Sequence, residues 1–198
     1  MKSDVYVLES LESDYRFIPS EAEKVARYND LDKKSALRLR LLAEEMICML
    51  PQLLIYGKGK FWIENKGRDY ELRLTVTPTD MNSADRDKII SVSSNKKNAS
   101  AKGLIGKICN AVEVMVSDRA KLAKEDPYGY YMAGMMNNSE TVSWSLMNYR
   151  QSFESESSRE KDKEAWDELE KSIIGNLADD VLVGVLNGKV NITVKKTF

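Results

Sequence analysis

Two adjacent carboxylates, Glu44 and Glu45, lie inside an apolar run and are the first candidates for chemistry in this sequence. A pair of carboxylates can act as general acid and general base when both side chains face one site. Neighbouring residues on a helix point about 100° apart, so these two cannot share a site. Glu45 is therefore either a single functional acid or a solvated or salt-bridged residue.

A second candidate is the segment Lys-Gly-Leu-Ile-Gly over residues 102–106, where Gly103 and Gly106 could open a helix. Free backbone amides at a helix start can bind phosphate, although close helix packing is the alternative for a Gly-x-x-Gly pair. Asp179 and Asp180 could form a metal pair. Adjacent acids between a helix and a strand are, however, more typical of a turn.

Composition excludes several functional classes. The chain of 198 residues has no histidine, which rules out a histidine-based catalytic triad, a histidine zinc site and a phospho-accepting histidine. Its two cysteines, Cys48 and Cys109, fall in apolar helical patterns and are expected to be reduced, buried thiols. No metal site is predicted.

Charge and hydropathy indicate the surroundings of the protein. Lys plus Arg number 30 and Asp plus Glu number 31, so neither nucleic acid nor an anionic membrane is expected as a partner. The start of the sequence does not read as a signal peptide, and no run reaches the roughly 20 apolar residues of a membrane helix. We expect a cytoplasmic protein.

Apolar spacing predicts the first elements. A short strand is expected over residues 5–8, and Ser20 with Glu23 reads as a capping box that opens a helix ending near Tyr28. A second helix is expected from about Lys33 until Pro51 weakens or bends it. Its apolar residues recur every three or four positions, as on one helical face: Leu39, Leu42, Ala43, Met46, Ile47 and Leu50.

Two β-hairpins are predicted. Residues 60–65 and 70–77 flank a turn over 66–69, and apolar and polar residues alternate along the second strand, so it should have one buried and one wet face. Residues 181–186 and 189–195 flank Asn187-Gly188, a pair that favours a type I′ turn.

The middle of the chain is expected to hold a short helix over residues 84–92, a polar loop over 93–100 and three longer helices. Their apolar stripes begin at Leu104, at Val142 with Ser139 as N-cap, and at Trp166. The charged run over 159–164 reads as a linker or a solvated helix start. One cluster follows no regular period and is either a buried packing segment or an adaptable partner or ligand surface: Tyr128, Tyr130, Tyr131, Met132, Met135 and Met136.

Two segments carry a resemblance to a known family. The run Leu-Arg-Leu-Leu-Ala-Glu-Glu-Met-Ile-Cys-Met over residues 39–49, and the last helix and closing strands over 174–194, resemble the GHKL (histidine-kinase-like) ATPases, in particular their anti-sigma regulatory factor branch. The resemblance implies one domain over residues 1–198 with a Bergerat-like α/β fold. This is an α+β two-layer sandwich whose mixed or antiparallel sheet has helices on one face. Residues 78–158 would form an enlarged helical insertion where the family keeps its nucleotide lid.

The family's site residues are only partly present. Glu45 matches the acid that, with an asparagine four residues on, orients water and Mg²⁺ beside a nucleotide, but that second position holds Met49. Asp80 matches the aspartate that contacts adenine, yet Met-Asn-Ser follows it in place of glycines. The region over 164–169 is acidic where the family has a glycine pair, and this charge would repel a triphosphate.

These departures favour a non-catalytic regulatory protein that keeps the ATPase-like scaffold and binds a protein partner, such as a sigma factor or its antagonist. The alternative is a nucleotide-binding protein, or a weak ATPase or serine kinase, that uses ATP and Mg²⁺ through Glu45, Asp80, Gly103 and Gly106. A third possibility is another small ligand in the same cleft.

Overall fold

The computed structural model describes residues 1–9, 14–54, 57–78, 103–125 and 141–198. The strands are β1 Tyr6–Leu8, β2 Gly57–Lys66, β3 Asp69–Pro78, β4 Thr141–Ser145, β5 Asp180–Leu186 and β6 Lys189–Thr197. The helices in these residues are α1 Ile18–Tyr28, α2 Lys33–Cys48, α3 Leu50–Leu53, α4 Gly103–Glu125, α5 Leu146–Gln151, α6 Glu156–Lys161, α7 Lys163–Lys171 and α8 Ile173–Leu177.

The strands form one six-stranded sheet in the order β1-β2-β3-β6-β5-β4. Every pair of neighbours in it is antiparallel, including β3 with β6, which joins the two hairpins. Of the two predicted sheet types, the antiparallel one is therefore found among the described strands. The predicted fold class, α/β with a two-layer α+β sandwich, is confirmed.

The second hairpin has the predicted Asn187-Gly188 turn, and in the first the strands continue through Lys66 and Asp69, so its turn is shorter than the predicted segment 66–69. Lys66 pairs with Asp69 around Gly67, whose φ is 61°, and Leu186 pairs with Lys189. Asn187 and Gly188 have φ values of 50° and 81°, as a type I′ turn requires at both central residues. The strands of the first hairpin extend a few residues further from the turn than the apolar alternation indicated.

The core lies between the helices and one face of the sheet. Along β3, Tyr70, Leu72, Leu74 and Val76 are buried, and they belong to the same apolar cluster as the buried face of α2. Each such side chain contributes about 1.5–3 kcal/mol through removal from water. The alternating apolar residues of the strands and the apolar residues spaced three or four apart in the helix therefore form the two halves of one core.

The first helix begins earlier than predicted. α1 starts at Ile18 with Pro19 in its first turn, and no side chain caps it. Ser20 lies inside the helix, so the predicted capping box with Glu23 is wrong. Proline has a fixed φ that suits the first helical turn and lacks the amide that a cap would satisfy. α2, in contrast, begins at the predicted residue, Lys33.

Later helix boundaries also differ from the prediction. Val142 lies in β4, and α5 starts at Leu146 with Ser145 as its N-cap in place of Ser139. The helix expected around Trp166 is two helices, α7 and α8, separated at Ser172, whose side chain accepts a hydrogen bond from the Gly175 amide. The charged run over 159–164 forms parts of α6 and α7.

Pro51 falls at the start of the short helix α3, after α2 has ended at Cys48. Both cysteines are free thiols, as predicted, but only Cys109 is buried, since Cys48 lies on the outer side of α2. Within the predicted insertion over 78–158, β4 pairs with β5 and so belongs to the sheet. The predicted helix over 84–92, the loop over 93–100 and the Tyr/Met cluster lie outside the described residues.

Candidate binding face

Glu45 lies half-buried on α2, while Glu44 is exposed. Burial raises the pKa of the Glu45 carboxyl, and the charge of Glu44 raises it further. Within the described part of the chain, no hydrogen bond or ion pair to the Glu45 carboxylate is found, so the salt-bridged alternative is not realised there. Partial burial without a partner destabilises the ionised form of this carboxyl relative to the protonated form.

Met49, one helical turn after Glu45, is fully buried in the core. The family places its metal-orienting amide at this position. Here a thioether packs among apolar side chains, and Mg²⁺ requires oxygen ligands in octahedral geometry. Glu45 and residue 49 therefore cannot form the acid–amide pair, because one borders solvent and the other fills the core.

The glycine segment opens α4, as predicted. Gly103 has a φ of 82°, and a Cβ there would meet no atom within 4 Å. Gly106, one turn further on, is buried within the helix, in agreement with the packing alternative. α4 packs against α3, the short helix that follows α2, and α2 carries Glu45. Asp80 lies outside the described residues.

Asp179 lies in the turn before β5, as predicted for adjacent acids between a helix and a strand, whereas Asp180 is the first residue of β5 and pairs with Lys195. Asp179 accepts hydrogen bonds from Lys196 Nζ at 2.6 Å and from the Thr197 amide at 2.6 Å. The Asp180 carboxylate accepts from the Met147 amide at 2.9 Å, at the start of α5. Over the described ranges, no three His, Cys, Asp or Glu side chains are grouped so that they could hold a metal ion.

The other face of the sheet, here called the open face, carries mostly polar side chains. Alternation along the strands puts Thr75 of β3 on this face, and the register aligns it with Lys60 of β2 and Asn191 of β6. Among its charged members, basic residues outnumber acidic ones. The basic residues are Lys2, Lys58, Lys60, Lys66, Arg73, Lys189 and Lys195, and the acidic ones are Glu64, Asp69, Glu71 and Asp180.

An ion-pair network occupies one part of the open face. Glu64 and Glu71 face each other across β2 and β3, an arrangement of like charges that alone would destabilise the sheet. Arg73 lies between them, with its Nε 3.4 Å from Glu64 and its guanidinium hydrogen-bonded to Glu71. Lys2 lies 3.4 Å from Glu64, and Trp62 Nε1 donates to the same carboxylate at 2.7 Å.

The network alters the titration of Glu64. Partial burial alone would raise its pKa, but the Trp62 hydrogen bond and the charges of Arg73 and Lys2 outweigh burial and lower it. The ammonium of Lys2 also lies 4.7 Å from the centre of the Trp62 ring. The charges in this part of the face are therefore largely neutralised by one another.

The opposite end of the open face, here called the lysine end, holds Lys58, Lys60 and Lys189, all exposed. Lys58 pairs with Glu9 at 3.1 Å. Lys60 and Lys189 form no ion pair with any residue that the structure describes. The positive charge of this end is thus only partly compensated.

Apolar side chains flank the open face at both edges of the sheet. Val7 of β1 pairs with Lys60 and is 54% exposed, and Val142 of β4 pairs with Gly184 and is 45% exposed. Between them the central strands carry short side chains, with Thr75 Oγ1 donating to Asn191 Oδ1 at 2.8 Å. The face therefore combines exposed apolar side chains at its edges with a polar centre that is little exposed, since Thr75 is 8% and Thr193 of β6 3% exposed.

An aromatic cluster on the helical side of the molecule has a different role. Tyr149 of α5 contacts Trp144 and Phe153, and Phe153 contacts Trp166 of α7, with ring centres 5.2–6.0 Å apart. Two cations, Lys107 and Arg159, lie over rings of the cluster at 5.2 and 4.4 Å. The cluster joins β4 and four helices, so we assign it to packing.

Comparison of the chain with protein-family models, with curated proteins and with solved structures gave no match. The resemblance to GHKL ATPases therefore stays a prediction from the sequence. No helix within the described ranges is long and apolar enough to cross a bilayer.

Sequence reasoning missed most of the open face. It identified the wet side of β3, which carries Arg73 and Thr75, but assigned no role to Lys60 or Lys189. Both lysines occupy the polar phase of predicted hairpin strands, so alternation alone could have placed each on the wet face of its own hairpin. Their position on one surface depends on the pairing of β3 with β6, which no local pattern shows.

Proposed function

We propose that this protein is a non-catalytic cytoplasmic regulatory protein that binds a protein partner on the open face of its sheet. The observation that carries this proposal is the exposure of apolar side chains, Val7 and Val142, at both edges of the sheet face opposite the core. The resemblance to anti-sigma factors supports the same class of function.

The face has the size and rigidity that such a role needs. Six strands spaced about 4.8 Å apart give a platform roughly 25 Å wide. The core packed on its other side holds the strands in place, so the partner would bind a preformed surface and little ordering free energy would be lost. The mechanism is occlusion: the partner's covered surface is no longer available to its own target.

Capture from cells with matched variants tests the proposal. Thr77→Trp places a bulky neutral side chain on the open face, and Leu37→Trp places the same side chain at an exposed position of α2. We expect the wild type and Leu37→Trp to retain a stoichiometric partner that Thr77→Trp loses. Equal retention by both variants, or equal loss, would contradict binding on this face.

Nucleotide binding is the second candidate, favoured by one observation. Glu45 presents a half-buried carboxylate without a partner in the described residues, and Gly103 opens the 23-residue helix α4 with a left-handed backbone. In the family the corresponding acid acts through Mg²⁺ at the nucleotide, so Glu45, with Gly103 and Gly106, is where ATP would bind.

Thermal denaturation with ATP and ADP, with and without Mg²⁺, tests this candidate. Ligand at about 100 times its Kd stabilises a protein by roughly 2.7 kcal/mol. The nucleotide function predicts a clear rise in melting temperature that Glu45→Ala abolishes. An unchanged melting temperature at millimolar nucleotide would rule it out.

A further inference from the structure

We propose that the lysine end of the open face binds an acidic, extended segment of the protein partner. This inference rests on the proposed function and adds the chemistry of the bound segment. Lys60 and Lys189 carry exposed ammonium groups that no carboxylate in the described residues neutralises. Charge complementarity therefore favours a carboxylate-bearing ligand at this end of the face.

The spacing of the two lysines fits an extended chain. Lys60 lies on β2 and Lys189 on β6, with β3 between them. Lys60 aligns with Asn191 of β6, and Lys189 lies two residues along β6 from Asn191. Two strand spacings and two residues along a strand together separate the lysines by about 12 Å, and an extended segment advances about 3.3 Å per residue. Acidic residues four positions apart on such a segment point to the same side and lie about 13 Å apart, so they would reach both lysines at once.

The surface between the lysines is low and polar. Thr75 and Asn191 are hydrogen-bonded to each other, and Gly184, next to Asn191 in the register, has no side chain. Val7 and Val142 lie at the two ends of the same row of residues. A segment crossing the sheet here would bury its apolar residues at the edges and its carboxylates near the lysines.

The observations favour an acidic polypeptide over a nucleic acid. Single-stranded nucleic acid needs aromatic rings on which bases stack. Trp62, an aromatic residue on the described part of the open face, has the Lys2 ammonium over its ring and donates its N–H to Glu64. Arg73 is likewise engaged by Glu64 and Glu71. The exposed valines at the edges would also find no apolar counterpart on a phosphate backbone.

The test uses the full chain and two fluorescent probes at about 20 mM salt, where exposed charges are weakly screened. One probe is a peptide of about twelve residues in which glutamate and serine alternate, so that all glutamates of the extended chain lie on one side. The other is a thymidine oligonucleotide of similar net charge. The variants are Lys60→Glu with Lys189→Glu, and, as control, Lys33→Glu with Lys34→Glu at the exposed start of α2.

We expect the peptide to bind the wild type and the control with similar Kd, and to bind the open-face variant about tenfold or more weakly, since two attractions become repulsions. Lys60→Gln with Lys189→Gln, which removes charge without reversal, should fall between them. Urea unfolding of each variant confirms that the fold persists.

Several outcomes would overturn the inference. These are no peptide binding at low salt, an equal loss in the control variant, or tighter binding of the oligonucleotide than of the peptide. If Thr77→Trp still abolishes partner capture while the peptide does not bind, the open face remains the docking surface and only the acidic character of the segment is wrong.

Discussion

Met49 lies one helical turn after Glu45, at the position where the GHKL ATPases that the sequence resembles have an asparagine. Its complete burial means that an amide there would lie among apolar side chains with no partner for its hydrogen bonds. Met49 is therefore incompatible with the metal chemistry of the family that the sequence resembles, because the same position cannot serve both the core and a cation.

Replacing Met49 with the asparagine of those ATPases should therefore lower the stability of the protein without creating a metal site. We expect Met49→Asn to lower the free energy of unfolding by about 3 kcal/mol through lost packing and a buried amide. Met49→Leu, the control, conserves volume and should lower it by less than about 1.5 kcal/mol. Urea titration measures both. Near-wild-type stability with a new Mg·ATP-dependent thermal shift would instead support a latent nucleotide site.

The raised pKa of Glu45 leads to a second prediction about a single residue. In the pH range above the ordinary value near 4.5, the folded state binds this proton more strongly than the unfolded state, so stability falls as pH rises. Glu45→Gln removes the titration and should stabilise the protein at pH 7, and the gain should vanish well below pH 4.5.

The control for this comparison is Glu154→Gln, at an exposed carboxylate between α5 and α6, which should change stability by less than about 0.5 kcal/mol. Thermal unfolding between pH 3 and pH 8 checks both variants. A Glu45→Gln variant less stable than the wild type at pH 7 would mean that the carboxylate has a favourable partner.

At the scale of elements, single side chains hold short helices in place. Arg150 of α5 donates to the carbonyl oxygens of Gly175, Ala178 and Asp179 at 2.6, 3.0 and 3.0 Å. These carbonyls lie at the end of the five-residue helix α8 and in the turn before β5. So short a helix has little stability of its own and depends on such contacts.

The guanidinium geometry should matter more than the charge of this residue. We expect Arg150→Lys to lower the free energy of unfolding by about 1–2 kcal/mol, because an ammonium group cannot reach three carbonyls in a fork. Hydrogen exchange should show faster opening of α8 amides in this variant. Wild-type exchange rates there would show that α8 is held by apolar packing alone.

The hairpin of β2 and β3 is stabilised by ion pairs of the open face. Arg73 separates Glu64 from Glu71, so Arg73→Ala leaves two carboxylates facing each other across β2 and β3. We expect a loss of about 1 kcal/mol at pH 7. Because the pKa of Glu64 is lowered in the folded protein, its stabilisation is present above pH 4.5 and is lost as pH falls through the folded pKa.

The deficit of Arg73→Ala should accordingly shrink in acid, where Glu64 becomes protonated. Chemical denaturation at pH 7 and at pH 3 measures it. Lys66→Ala, an exposed position of the same hairpin, provides the control and should behave like the wild type at both pH values. A deficit that is constant with pH would mean that Arg73 acts through its packing and not through its charge.

For the whole molecule, the two faces of the sheet have opposite roles. The core face carries the apolar cluster shared with the helices, and the open face carries the charges and the exposed edge valines. We therefore expect the large losses of stability to come from changes on the core face, and losses of the proposed partner binding to come from changes on the open face.

A pair of substitutions on β3 separates these roles. Leu74→Ala, on the core face, should lower the free energy of unfolding by about 2–5 kcal/mol, since Leu74 is 1% exposed. Thr77→Val, three residues on and on the open face, should change it by less than about 0.5 kcal/mol. Urea titration measures both, and a large loss at Thr77 would show that the open face is covered.

Much of this fold could be predicted from the sequence because its signals are local. The alternation of Tyr70, Leu72 and Leu74, the Asn187-Gly188 turn and the apolar stripe of α2 each depend on neighbours a few residues apart. They determine strands, turn type and a helical face. The absence of histidine likewise excludes whole classes of chemistry whatever the fold.

Only the tertiary structure decided how these elements combine. The pairing of β3 with β6 brings Lys60 and Lys189, more than a hundred residues apart, onto one surface. Met49 is buried in the core and Glu45 lies at the edge of the core, although only one helical turn separates the two residues. Registers between distant strands and the assignment of a position to core or solvent depend on packing between remote segments, and no local pattern contains that information.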